Sequence, residues 1–369
     1  MNKIRNDFNN LMGDLQSRID TLLEVFDNWL SDDNQFLREA IARTVEEEYF
    51  AFHDVKYALK TLKETLNRTA IEEWVERSSL SDRNDARGEN VLCLHAGNLP
   101  LVGFQDALAV LLSGARYTGK ISRKDPYLLP TFLNEVKKTG IWSSIDVQWS
   151  HRLDDLEDMQ NDAILFAGSE SSVTGVKQAV EELNLEKKDT RYLIRTAHFS
   201  MAYLDKRQEK HMKDLVEAIF RYGGKGCRSV AVVVSPYDLD TIKCELTDYI
   251  ESFWLENPQF EKPEPKLTQR FAYNKAIERP QAWLDDFLLQ EGGLEMDQDF
   301  ICYWVEGDET KVQELAKRFT GQLQSIYITE PDITIPDHSD KVEYLSDAQR
   351  PPIYWKPDGT DILRWLISG

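Results

Sequence analysis

The segment RYGGKGCRSVAVVVSPYD, Arg221–Asp238, sets one cysteine among three glycines, directly ahead of a β-branched apolar run. Thiolate is the reactive form of cysteine, and an ordinary thiol needs nearby positive charge to reach it. Lys225 and Arg228 flank Cys227. Two readings of Cys227 follow: a nucleophile held in an exposing loop, or a small buried residue where Gly223 and Gly224 end a helix.

Three further stretches carry polar groups at element ends. In HAGNLPLVG a strand ends at Gly97, Asn98 sits in a turn, and a helix starts after Pro100. Asn98 is either an amide donor to an oxyanion or plain turn chemistry. In TGKISRKDP, Lys120, Ser122, Arg123 and Lys124 follow a strand and form either a solvated loop or a site for a phosphorylated cofactor. In FAGSESSVTG, Gly168 and Ser169 lead from a strand into a serine-rich helix start, a setting that favours anions. No GxGxxG occurs, so the usual dinucleotide fingerprint is absent.

The elements that must hold these groups are legible as patterns. Residues from about 5 to 78 read as helices, with Leu11, Leu15, Ile19, Leu22, Leu23, Phe26 and Leu30 at three- and four-residue spacing. VKYALKTLKETLNRTAIEEWV continues this helical layer. After the polar joint SDRNDARGEN, short strands alternate with helices: NVLCLHAG, RYTGKIS, IDVQWS, DAILFAG, RYLIRT and SVAVVVS are the strands that matter here. Alternation of this kind predicts a parallel, doubly wound sheet whose ligands lie at the carboxyl ends of its strands. ENPQFEKPEPK reads as a surface connector.

Composition narrows the function classes. The chain has 369 residues, 41% hydrophobic and 29% charged, with a formal net charge of −20. That surface repels nucleic acid and anionic membranes. No run approaches the roughly 18 apolar residues of a membrane span, and no secretory signal precedes the first helix. Four cysteines without CxxC spacing suit a reducing, cytoplasmic setting. The six histidines form no compact ligand set, so no metal is expected.

Taken in order, Asn-x-Pro after a strand, a Lys-x-Ser strand end, Phe-x-Gly-Ser before a helix and Gly-x-Gly-Cys before a strand resemble the aldehyde dehydrogenase superfamily. Within it, the chain most resembles the LuxC-type acyl-CoA reductases, over roughly residues 85–240 and again in YLSDAQRPPIYWKPDGTDILRWL. The resemblance implies an α/β, aldehyde-dehydrogenase-like fold: an N-terminal helical segment (1–80), a doubly wound Rossmann-like dinucleotide domain (81–222), an α/β catalytic domain (223–330) and a C-terminal segment (331–369). It implies Cys227 as the acyl-accepting nucleophile, with the Asn98 amide and the Cys227 N–H as oxyanion donors. Lys120 and Ser122 would meet the adenosine ribose or its 2′-phosphate, Arg123 and Lys124 further phosphate, and Gly168 and Ser169 the pyrophosphate or nicotinamide end. Aldehyde oxidisers carry a water-activating glutamate in the stretch here reading LIRTAHFSMAYL, which has none. That departure disfavours oxidation to the acid and suits a reductase. His198, in the same stretch, is either a proton donor to the aldehyde oxygen or a strand-end histidine.

The implied activity is reduction of a fatty acyl thioester, from acyl-CoA or an acyl-carrier, to the aldehyde, with NADPH as cofactor or NADH in its place. The alternatives are a short-chain CoA-acylating aldehyde dehydrogenase and a non-catalytic acyl-binding scaffold of the same fold. A homo-oligomer or an acyl-transferring partner enzyme is compatible with the pattern; nucleic acid and membrane insertion are not.

Overall fold

Near the amino end the helical periodicity resolves into α1 (Leu15–Trp29), α2 (Gln35–Glu46), α3 (Phe52–Thr65) and α4 (Arg68–Ser78). The computed structural model describes residues 14–143, 145–258, 265–284, 286–296 and 300–368; the helical reading of residues 5–13, Leu11 included, and the 259–264 part of the connector lie outside them. The side chains of Asp14, Asn34 and Asn67 each accept a backbone N–H in the first turn of the helix that follows, satisfying donors that lack an intrahelical partner. VKYALKTLKETLNRTAIEEWV, expected to continue the helical layer, does so as two helices, α3 and α4, the second opened by the Asn67 cap.

β1 (Asn90–Leu94), α5 (Phe104–Ser113), β2 (Arg116–Lys120), α6 (Leu128–Lys137), β3 (Val147–Ser150), β4 (Asn161–Ala167), α7 (Val173–Glu182) and β5 (Glu186–Arg195) follow. The strands form one parallel sheet in the order β3-β2-β1-β4-β5. The chain winds outward from β1 through β2 to β3, then restarts on the other side at β4. In open α/β sheets such a switch, here between β1 and β4, is where ligands bind, at the strands' carboxyl ends. α5 is buried on every side; its sequence is mostly apolar, and its buried Gln105 and Asp106 have hydrogen-bond partners. Trp29 stacks on Phe104 with ring centres 5.8 Å apart and meets Phe132 edge-on at 5.3 Å, so the N-terminal helices share this unit's core.

The next elements are β6 (Phe199–Tyr203), α8 (Glu209–Phe220), β7 (Val230–Ser235), α9 (Leu239–Glu256), α10 (Pro265–Ala276), β8 (Gln281–Trp283), β9 (Leu288–Glu291), β10 (Ile301–Glu306), α11 (Glu309–Arg318), β11 (Leu323–Ile328), β12 (Val342–Tyr344) and α12 (Ile362–Ile367). Their sheet runs β12-β11-β6-β7-β10-β9-β8, parallel except for the β8–β9 pair.

The chain forms two compact units, one of residues 1–196 with 352–369 and one of 197–351. This differs from the boundaries read in the sequence. The division falls at Thr196/Ala197 instead of 222, because the unpredicted strand β6 pairs with β7 and β11 and carries α8 with it. Residues 14–80 of the expected N-terminal helical segment pack on the core of the first unit. The C-terminal segment divides at 351/352: β12 extends the second sheet, while α12 returns to the first unit and buries Leu363 and Leu366. Among the described residues no helix is long and apolar enough to cross a membrane.

Candidate active site

In the first unit, Asn98, Lys120–Lys124 and Gly168–Ser169 all follow carboxyl ends of neighbouring strands, β1, β2 and β4. Parallel pairing of consecutive βα units puts them along one edge of the sheet. Asn98 is exposed, at the start of a tight turn in which Leu101 takes a φ of 59°. Three contacts fix that turn. The Leu101 N–H donates to Asp125 Oδ2 at 2.8 Å. The His95 N–H donates to the Lys120 carbonyl at 3.1 Å. His95 Nε2 is hydrogen-bonded to the Tyr117 hydroxyl at 2.6 Å; burial holds this imidazole neutral, with a pKa of about 4. At Gly97 a β-carbon would lie 2.1 Å from Ser122 Oγ, so the turns after β1 and β2 touch only because glycine stands there.

Lys120 is half-buried, and desolvation, then the neighbouring Arg123, lowers its ammonium pKa. Arg123 and Lys124 are exposed beside it. Ser169 is exposed ahead of α7, with its hydroxyl bonded to that of Ser171 at 3.0 Å, and the Gly168 N–H donates to the Arg195 carbonyl at 3.1 Å. This edge therefore combines ammonium, guanidinium, hydroxyl and helix-start N–H donors, all suited to phosphate and sugar oxygens.

At the end of β5, where the sequence lacks a glutamate, stands Arg195. It donates to Asp106 Oδ2 at 2.5 Å, and both side chains are buried. No carboxylate stands in LIRTAHFSMAYL to activate water.

In the second unit, Cys227 lies in the loop ahead of β7. Tyr222, Gly223, Gly224 and Gly226 all have positive φ, from 58° to 100°. A β-carbon at Gly224 would meet the Ile219 carbonyl at 3.0 Å, so this position needs glycine for both space and backbone angle. The loop leaves Cys227 partly exposed, while the Ser200 hydroxyl donates to its carbonyl at 2.8 Å. Cys93 and Cys302 are buried, and burial raises both thiols' pKa; protonated and enclosed, they are poor nucleophiles. Arg228 does not project from the loop as a free cation. It is buried against Glu343 and the carbonyls of Asp347 and Ala348.

β6 and β7 are parallel neighbours, so His198, just before β6, and Cys227, just before β7, share the amino edge of the second sheet. His198 is exposed, and its N–H donates to the Gln322 carbonyl at 2.9 Å. Ser200, Ser325 and Glu343 go unnoticed in the sequence, which carries no local signal for them. Among the described residues no three His, Cys, Asp or Glu side chains are grouped to hold a metal ion.

A family model described as acyl-CoA reductase (LuxC) matches residues 13–319. The chain belongs to the LuxC family of acyl-CoA reductases. It is thus an oxidoreductase, and the LuxC resemblance read from four short motifs holds over most of its length. Solved structures give the fold independently. A lactaldehyde dehydrogenase matches with a TM-score of 0.62 at 13% identity, covering 93% of this chain and 79% of that one. The salicylaldehyde dehydrogenase from Pseudomonas putida G7, complexed with salicylaldehyde, has a TM-score of 0.62 at 14% identity, with 92% and 78% covered. A protein described as a methylmalonate-semialdehyde dehydrogenase from Sinorhizobium meliloti 1021, complexed with NAD, has 0.59 at 11%, with 89% and 74% covered. At such identities the likeness is one of fold, and this LuxC-family chain has the aldehyde dehydrogenase fold.

Proposed function

We propose that the protein reduces a fatty acyl thioester to its aldehyde through an acyl group carried on Cys227. The observation that carries this reading is the Cys227 loop. In a chain of the acyl-CoA reductase family, four positive-φ residues and the Ser200 hydroxyl hold one partly exposed thiol at a strand's amino end. A plain helix stop needs a single left-handed residue.

The Cys227 thiolate attacks the acyl carbon, a carbon–Sγ bond forms, and the bond to the donor's sulfur breaks, releasing that thiol after it takes a proton. The Asn98 amide and the Cys227 N–H are the proposed donors to the oxygen that becomes negative. His198 is the proposed group that exchanges a proton at that oxygen. When bound, a reduced nicotinamide supplies the hydride that brings the acyl carbon to the aldehyde level. Release of the aldehyde breaks the carbon–Sγ bond and returns the thiolate.

The donor set after β1, β2 and β4 fits such a dinucleotide. Lys120 and Ser122 would hold the adenosine ribose or a 2′-phosphate, Arg123 and Lys124 further phosphate, and Gly168 and Ser169 the pyrophosphate or nicotinamide end. Three cations around Ser122 favour NADPH over NADH. NAD in one structural neighbour supports a nicotinamide cofactor. The absence of a glutamate from LIRTAHFSMAYL favours reduction over hydrolysis of the bound acyl group.

Intact-protein mass spectrometry after incubation with medium- and long-chain acyl-CoA, without cofactor, tests the reading beside a Cys227→Ala control. The expected result is a gain of one acyl mass, absent in the control and discharged by NADPH. Acylation by two- to four-carbon donors alone would make this a short-chain acylating enzyme. No acylation from either CoA or carrier-protein donors would leave an acyl-binding scaffold.

A further inference from the structure

Residues 342–348 lie beyond the family-matched span, which ends at 319, yet they are built into the second unit beside the Cys227 loop. β12 extends the sheet by pairing with β11, Val342 opposite Ile326. From this segment come the acceptors for Arg228, the residue after Cys227. Arg228 Nη2 donates to Glu343 Oε2 at 2.8 Å and to the Asp347 carbonyl at 2.9 Å, and Nε donates to the Ala348 carbonyl at 2.7 Å. A second route joins the same residues. The Ser325 hydroxyl donates to Glu343 Oε1, the Ser325 N–H donates to Ser200 Oγ at 3.2 Å, and the Ser200 hydroxyl donates to the Cys227 carbonyl. Cys227 is thus tied to Glu343 both through its neighbour's guanidinium and through its own backbone.

The side chain of Arg228 is almost fully enclosed. Burial works against its charge, while Glu343 of β12 and, when they are ionised, Tyr327 of β11 and Cys227 favour it. Lys225 stands on the same loop. The coupling is mutual: a cation that Cys227 stabilises when ionised in turn favours the ionised thiol. A carboxylate held against that cation offsets part of its field.

Resting on the acyl-enzyme reading of Cys227, we propose that Glu343, outside the family-matched span, sets the reactivity of the nucleophile by fixing the position and net charge of Arg228. Arg228 and Glu343 are then positioning residues, acting through Cys227 and not on substrate. This assignment has a signature that a purely structural ion pair lacks. Removing the cation and removing its counter-charge should shift Cys227 in opposite directions, whereas loss of packing would shift it in one.

The test is the pH dependence of Cys227 alkylation by iodoacetamide, followed by peptide mass in the full-length protein, with thermal unfolding as a check on folding. For Arg228→Met the midpoint should rise by about one pH unit, slowing alkylation about tenfold on the acid side. For Glu343→Gln, which keeps an oxygen acceptor, it should fall and alkylation should quicken. Two folded variants that match the wild type, or that shift in the same direction, overturn the proposal. If Arg228→Met does not fold, Glu343→Gln decides: a lower midpoint supports the assignment, and an unchanged or higher one overturns it. No acyl donor enters this assay. Opposite shifts without acylation by any donor would overturn the acyl-enzyme reading and reduce this inference to control of the Cys227 thiol's reactivity; acylation with unmoved midpoints would overturn this inference alone.

Discussion

The carboxylate of Asp125 accepts the backbone N–H of Leu101 at 2.8 Å, tying the loop after β2 to the turn that carries Asn98. Burial raises the pKa of this carboxyl to about 6, although the Leu101 and Leu128 N–H groups pull the other way. With the folded pKa above the ordinary 3.8, the folded state binds the proton more tightly. The ionised form therefore costs stability at neutral pH, and the cost disappears as pH falls from about 7 to about 4. Relative to Asp125→Asn, the wild type should gain up to about 3 kcal/mol across that window. Chemical denaturation of both proteins at several pH values checks this, and parallel curves would show that Asp125 titrates normally.

Asn98 is exposed at the tip of that clamped turn, so truncating it costs little packing. If its amide donates to the developing oxyanion, Asn98→Ala should lose about 10²–10³ in turnover with cofactor affinity kept. Steady-state reduction of a long-chain acyl-CoA, with cofactor binding by fluorescence titration, checks both parts. Wild-type turnover in this variant would remove Asn98 from the mechanism.

These positions differ in how far the sequence could announce them. β1, β4 and β7 are short apolar runs bounded by glycine or polar turns, and β2 is a short strand between helices, so the residues after β1, β2 and β4 could be placed at strand carboxyl ends before any coordinates. β6 could not. FSMAY is five residues long, follows β5 after only three, and reads as its tail; missing it moved the expected domain boundary from 196 to 222. The support of Cys227 was hidden for a different reason. Ser200 is 27 residues away and Glu343 is 115 from Arg228, and nothing local distinguishes either from any strand serine or surface glutamate. Local propensity carries the elements and their ends, while contacts made by sheet pairing appear only in the fold.

Gly97 tests whether close approach of two turns matters to the cofactor. A β-carbon there would lie 2.1 Å from Ser122 Oγ, 2.5 Å from Ser122 Cβ and 3.1 Å from Lys124 Cβ, so the turns after β1 and β2 would be forced apart. Gly97→Ala should cost about 1–3 kcal/mol and weaken NADPH binding. Adding Ser122→Gly removes the two nearest atoms and should recover most of the stability while leaving binding impaired, because Ser122 is itself a proposed contact. Thermal unfolding and cofactor titration of the single and double variants separate the two effects. Unchanged binding in Gly97→Ala would place the cofactor elsewhere.

Arg195 and Asp106 form an ion pair with both side chains under a tenth exposed. Burying two charges is expensive, and the pair recovers that cost only while it is intact. Asp106→Ala should therefore leave a buried guanidinium without its partner and cost about 3–5 kcal/mol. The double variant Asp106→Leu, Arg195→Met should be markedly less destabilised than that single change. The comparison also bears on chemistry, since Arg195 closes β5 in the stretch where aldehyde oxidisers carry a glutamate. If the lack of a carboxylate there is what spares the bound acyl group from water, the double variant should add no thioester hydrolysis. Arg195→Glu should fold poorly beside Asp106, as two buried carboxylates would face each other. Denaturation curves, together with acid release from acylated protein in the absence of cofactor, report both quantities. Rapid acid release from the wild type would show that water is activated by some other group.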